Sequence, residues 1–289
     1  MPVDSDVSKL DFAQLLSQKS DQLTKSEKRI AAYLRKNQEE SAFLAANQVA
    51  EHLGLSEATI VRFARTLGFS NYPALRAYLQ GNFRERITHS SRLRTKLDHL
   101  RESGDIFERL TVSEIDYLTE ALVSVDRQQI EKATQLMKER QRIFVFGLGP
   151  SISLVDLLEL RLRRFGKDVI PLKVAGREVL EPLLTMTPND LIFVICFFDL
   201  NPTLQLVLDL AHEIGCPVIA ITDTLKAVIG DRADVILAAQ RGPVSEFHSL
   251  VVPMTIINTL LLTVAREDSE RVMANLDRLD EYRQRLKSL

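Results

Sequence analysis

The sequence predicts an α-helical helix-turn-helix domain followed by an α/β domain, a parallel sheet with helices on both faces. Three observations lead there. Between Leu55 and Gly68, the apolar residues Ile60, Phe63, Ala64 and Leu67 fall at the offsets of one buried helical stripe, with Thr59, Arg62, Arg65 and Thr66 opposite. One turn upstream, Val49–Leu53 reads as a second short helix stopped by Gly54, so two short helices meet at a glycine. From Arg142 onward the period changes, and short continuous apolar runs alternate with amphipathic stretches, as in a parallel sheet buried on both sides.

A chain of 289 residues has room for roughly two domains. Its net charge of −2 excludes a uniformly basic nucleic-acid binder. The charge is uneven, however: from Ser56 to Lys96 there are eight basic residues against two acidic ones, a local attraction for a polyanion. Cys196 and Cys216 sit in apolar runs without CxxC spacing, which predicts reduced core thiols, with no disulfide framework, metal site or cofactor. The N-terminus lacks the basic start and apolar run of a signal peptide, and the apolar stretches near 191–198 and 250–265 are too short or too polar to span a bilayer. A soluble, cytoplasmic protein with no membrane partner is expected.

Taken in order, residues 1–81 form the helix-turn-helix domain. A short helix surrounds Phe12, Leu15 and Leu16. Thr24-Lys25-Ser26-Glu27 is a capping box that opens a helix burying Ile30, Tyr33 and Leu34 and ending near Asn37. Ser56 caps the helix that follows Gly54, and Gly68 suits its left-handed exit. Pro73 then starts a helix with Leu75, Tyr78 and Leu79 inward and Arg76 outward. Residues 82–140 read as a charged helical connector broken at Ser103-Gly104, its second half packing on the next domain. Its Arg-rich start (84–96) is equally well a solvated face or a phosphate contact. In 141–268, strands are expected at Ile143–Phe146, Asp168–Leu172, Leu191–Phe197, Val218–Thr222 and Val235–Leu237. Helices alternate with them, the last covering about 247–265. Ligands of such sheets bind at the carboxyl ends of the strands. The tail, 269–289, spaces Val272, Leu276, Leu279 and Leu286 as a helix seam that either pairs two chains or packs on its own domain.

This arrangement resembles the RpiR family of bacterial transcription regulators, which join an N-terminal helix-turn-helix to a sugar isomerase (SIS) domain. The resemblance runs from about Leu23 to Ala265 and is carried by Leu23–Ala31, Leu55–Phe63, Leu67-Gly68-Phe69, Phe146–Ser151 and Val218–Asp223. It implies that Ser56, Thr59 and Arg62 contact double-stranded operator DNA; Arg65 is added from helical spacing. It also implies dimerisation through the SIS domain, hence a homodimer or homotetramer whose two reading heads meet a palindromic operator.

For the effector, the resemblance points to the loops holding Gly147, Gly149, Ser151, Cys196, Asp199, Asn201 and Thr222. The family's loop after the third strand usually reads Ser-x-Ser-Gly-x-Thr. Here it reads Cys196-Phe197-Phe198-Asp199-Leu200-Asn201, and Ile152 replaces the small residue after Ser151. A phosphate dianion wants small residues, free N–H groups and no neighbouring anion. The effector can therefore be a sugar phosphate, a different ligand with Asp199 pairing an amine or hydroxyl, or an apolar molecule; or the pocket can be a relic that serves only dimerisation. Asp199 could instead cap the following helix, a task Asn201 before Pro202 suits better. Glu246 and His248 stand near the start of the last long helix.

Two other classes compete with this one. A SIS-fold sugar-phosphate isomerase or binding protein without a DNA role needs a phosphate clamp and a general base; the clamp is degraded and only Glu246 is near. No enzyme activity is expected. A dinucleotide site would start from Gly147-x-Gly149, but Ile152 stands at the third glycine and the second strand exits at Lys173-Val174 without an acid.

Overall fold

The computed structural model describes residues 12–36, 44–86, 89–100, 105–197, 200–223, 225, 229–242 and 247–288. The chain divides into two compact units, residues 1–102 with 243–247, and residues 103–242 with 248–289. The stretch read as a connector is thus shared between them.

The first unit is helical: α1 (Phe12–Lys19), α2 (Lys25–Lys36), α3 (Ala46–Leu53), α4 (Glu57–Thr66), α5 (Tyr72–Arg86) and α6 (His89–Leu100). Its core gathers Ile30, Leu34, Val49, Ile60, Phe63, Leu67 and Leu75, all fully buried. Phe69 and Tyr72, between Gly68 and Pro73, are also buried, and the Tyr72 hydroxyl donates to the Leu44 carbonyl at 3.2 Å. Burial pushes that phenol up to about 12. Gly54 closes α3 at φ 61°, its cap completed by the Leu55 N–H on Ala50 O at 2.9 Å.

The second unit opens with α7 (Ile106–Ser124) and α8 (Arg127–Glu139), capped by Asp105 and Asp126. Then come β1 (Arg142–Gly147), α9 (Ile152–Arg164), β2 (Asp168–Leu172), α10 (Leu180–Leu183), β3 (Leu191–Ile195) and α11 (Pro202–Ile214). The order continues with β4 (Val218–Thr222), β5 (Val235–Ala238), α12 (Val251–Glu267) and α13 (Ser269–Lys287). The five strands are parallel in the order β2-β1-β3-β4-β5. Side chains alternate across the sheet. Ile143, Val145, Phe193, Ile219 and Leu237 pack with α8, α9 and α12, whereas Phe144, Phe146, Val194 and Ala220 pack with α10 and α11.

Two boundaries differ from the sequence reading, and the tail is placed. β3 stops at Ile195, although the Cys196 N–H still reaches Ile221 O at 3.1 Å. The last long helix starts at Val251, later than residue 247. In the tail, Val272 is buried and Leu276 and Leu279 half-buried, so the first part of α13 packs on its own unit; Leu286 is exposed.

Candidate nucleic-acid interface and effector site

The turn between α3 and α4 places Ser56 at the N-cap of α4, where its Oγ accepts the Thr59 N–H at 3.3 Å. The same Oγ lies 2.8 Å from Thr59 Oγ1, and Arg62 Nη2 donates to that hydroxyl at 3.3 Å. Ser56, Thr59 and Arg62 therefore form one hydrogen-bonded file along the outer face of α4. Ser56 and Arg62 are exposed and Thr59 half-buried; Arg65 is exposed one turn on. This file joins three of the four residues expected at the DNA.

Thr66 departs from the expected outward face. Its hydroxyl donates at 2.7 Å to Oε1 of Glu27, whose Oε2 receives the Thr24 N–H at 2.9 Å and the Thr24 hydroxyl at 2.8 Å. The capping-box carboxylate of α2 thus also ties down the end of α4, 39 residues away. Burial works to raise the Glu27 carboxyl, but the Thr24 and Thr66 hydrogen bonds and the Arg62 charge outweigh it and hold it below its usual value.

At the carboxyl edge of the sheet the strand order reverses beside β1, with β3 as its far neighbour, the position where doubly wound sheets open a crevice. The expected effector residues are placed unevenly around it. Gly147 is buried against α9: a Cβ there would lie 2.7 Å from Val155 Cγ2 and 3.1 Å from Ser151 Cβ, so its smallness serves helix–strand contact. Gly149 turns at φ 57° with open space around it. Ser151 is buried at the start of α9, its N–H on Leu148 O at 3.2 Å. Asn201 caps α11, accepting the Leu204 N–H at 3.0 Å.

Cys196 and Thr222 are walled in. Burial pushes the Cys196 thiol up to about 12, with the neighbouring Thr222 hydroxyl pulling the other way, so it carries no thiolate near neutrality. Thr222 is 0 % exposed. Asp199 and Glu246 lie outside the described residues. His248 is half-buried ahead of α12. Among the described residues, no group of His, Cys, Asp and Glu is placed to hold a metal, and no helix is long and apolar enough to cross a membrane.

The sequence reading missed Arg241, a buried guanidinium at this edge, paired with Asp223 and stacked on Phe197. No local pattern marks it, because its partners lie 18 and 44 positions away (241 − 223 and 241 − 197).

Residues 10–86 match the helix-turn-helix domain model of the rpiR family, and residues 135–263 the SIS domain model. The chain is 22% identical over 271 residues to the HTH-type transcriptional regulator RpiR of Escherichia coli K12, covering 92% of this chain and 90% of that protein. It is 26% identical to the HTH-type transcriptional regulator HexR of Pseudomonas aeruginosa, over 70% of each. Among solved structures, the Vibrio vulnificus NanR protein complexed with ManNAc-6P superimposes with a TM-score of 0.63 at 21% identity, covering 95% of this chain and 98% of that one.

Proposed function

Because the chain belongs to the RpiR family, joining that family's helix-turn-helix domain to a SIS domain, we propose that it is a transcriptional regulator whose operator binding is tuned by a small metabolite. The reading element is α4. The observation that carries this is the exposed file of Ser56, Thr59 and Arg62, prearranged by its own hydrogen bonds on a helix whose other face is fixed in the core. A guanidinium so presented can pair bidentately with a guanine edge in the major groove, while hydroxyls and the Arg65 charge settle on phosphates.

The effector lies at the carboxyl edge of the sheet, near the loops after β1 and β3. NanR, solved with a phosphosugar, offers a fold-level parallel. The present chain departs from a phosphate-nesting loop at Cys196 and Phe197, and Asn201 is spent on capping α11. The ligand acts by binding more tightly to one arrangement of the assembled subunits than to another, which sets the spacing of the two α4 helices. The protein works as a homodimer or homotetramer.

The test is a gel shift on the DNA upstream of its own gene, with Arg62→Ala beside the wild type. Loss of one base contact is worth about 1–3 kcal/mol, so specific binding should weaken roughly 5- to 150-fold with the circular dichroism spectrum unchanged. Equal affinity and specificity in the variant would remove Arg62 from the interface. Incubation with hexose and pentose phosphates should give no isomerisation.

A further inference from the structure

Neither the helix-turn-helix nor the effector-loop pattern accounts for Arg241. It leaves β5 at the carboxyl edge and is buried, its side chain only 7% exposed. Its guanidinium carbon sits 3.8 Å from the centre of the Phe197 ring. Its Nε and Nη2 donate at 3.2 and 2.7 Å to a single oxygen, Asp223 Oδ2. Phe197 follows β3, Asp223 follows β4 and Arg241 follows β5, so three adjacent strand ends converge on one cation.

The opposite edge of the sheet supplies a comparison. There Arg142 engages both oxygens of Asp190, Nε on Oδ1 at 2.9 Å and Nη2 on Oδ2 at 2.7 Å, and the second Nη2 hydrogen goes to Thr185 O. Asp190 also accepts from the Thr187 N–H and hydroxyl. That pair is closed, and it braces a turn. Arg241 spends two of its five N–H groups on one oxygen, and its Nη1 amino group has no partner among the described residues.

A buried ion pair adds little net stability, because desolvation offsets the attraction. A guanidinium with an open edge, by contrast, suits a planar oxyanion, which it grips with two parallel hydrogen bonds. The charge count selects among oxyanions. Asp223 already sits at the guanidinium, so a phosphate dianion would meet an adjacent carboxylate, whereas a carboxylate adds a single negative charge.

We propose that Arg241 reads the effector, its Nη1–Nη2 edge binding a carboxylate while Phe197 supports the guanidinium plane and Asp223 fixes its orientation. The ligand class is then a carboxylate-bearing metabolite such as a sugar acid, in place of a phosphosugar. This rests on the reading that the effector binds at the carboxyl edge.

The test is the melting midpoint of the full chain at fixed ionic strength, titrated with gluconate, glucuronate and acetate, and with glucose 6-phosphate and inorganic phosphate. A ligand that prefers the folded state raises the midpoint saturably. At least one carboxylate should do so. Its apparent affinity should fall tenfold or more in Arg241→Lys, which keeps the charge but not the fork. The response should vanish in the Arg241→Met/Asp223→Leu double variant, which leaves no buried charge unpaired. No saturable rise with any carboxylate, a tighter response to the phosphates, or an undiminished response in Arg241→Lys would each overturn the assignment. Gel shifts separate this outcome from the parent reading. A carboxylate that binds through Arg241 without altering operator affinity keeps the assignment and removes its role as effector. One that alters operator affinity equally in wild type and Arg241→Lys does the reverse.

Discussion

Glu27 shows how one side chain can join two elements. Its carboxylate accepts from Thr24 at the start of α2 and from Thr66 at the end of α4, and so ties the two helix ends together. Hydrogen bonds to a charged group are worth about 1.5–3 kcal/mol each, and Glu27→Gln weakens rather than deletes them, so a loss of about 1–2 kcal/mol is expected in urea denaturation. The folded pKa is depressed below 4.5. The contribution is therefore complete above the ordinary carboxylate range and is lost as pH falls through the folded value. The stability gap between wild type and Glu27→Gln should be constant from pH 6 to 8 and close on acidification; a gap that persists at the acid end would mean that the charge is not its source.

Two glycines at element ends separate two kinds of constraint. Gly54 sits at φ 61° with no atom within 4 Å of a would-be Cβ, so Gly54→Ala costs only the left-handed backbone, about 1 kcal/mol. Gly147 is different: its Cβ would strike Val155 Cγ2 at 2.7 Å, and overpacking where α9 meets β1 costs about 1–3 kcal/mol. A Gly147→Ala/Val155→Ala double variant should recover part of the loss, because the colliding methyl is gone, whereas no second-site truncation should rescue Gly54→Ala. Thermal denaturation of the three variants checks both statements. The helix caps were legible from neighbouring residues alone: Thr24 with Glu27, Ser56, and Asn201 before Pro202 all act within one turn. The role of Gly147 was not, because the atom it accommodates belongs to a helix whose docking depends on the whole sheet.

In the second unit, α7 keeps an apolar face in the open. On α7, Phe107 is 75%, Ile115 55% and Leu122 70% exposed. Ile115, Leu118 and Leu122 line a cavity of about 320 Å³ with Val252 and Ile256 of α12. Contiguous exposed apolar surface of this kind marks association sites. The expected homodimer or homotetramer should use it. Light scattering should give a mass of at least two chains for the wild type, and Leu122→Asp should shift it toward one chain while leaving the far-ultraviolet spectrum unchanged. An unaltered mass would move the interface elsewhere, the exposed end of α13 being the next place to look.

The succession of elements was written in local order. The strands at 168–172 and 218–222 coincide with the apolar runs that announced them; the second is buried on both faces and needs no partner information to be recognised. On α4 the outward places of Arg62 and Arg65 followed in the same way from helical spacing, while that of Thr66 did not. Strand order, the reach of Glu27 to Thr66 and the convergence of Phe197, Asp223 and Arg241 came only with tertiary structure. Each depends on which strand ends and helix ends lie side by side, and that is settled by packing all the apolar faces at once, over separations where no sequence period survives.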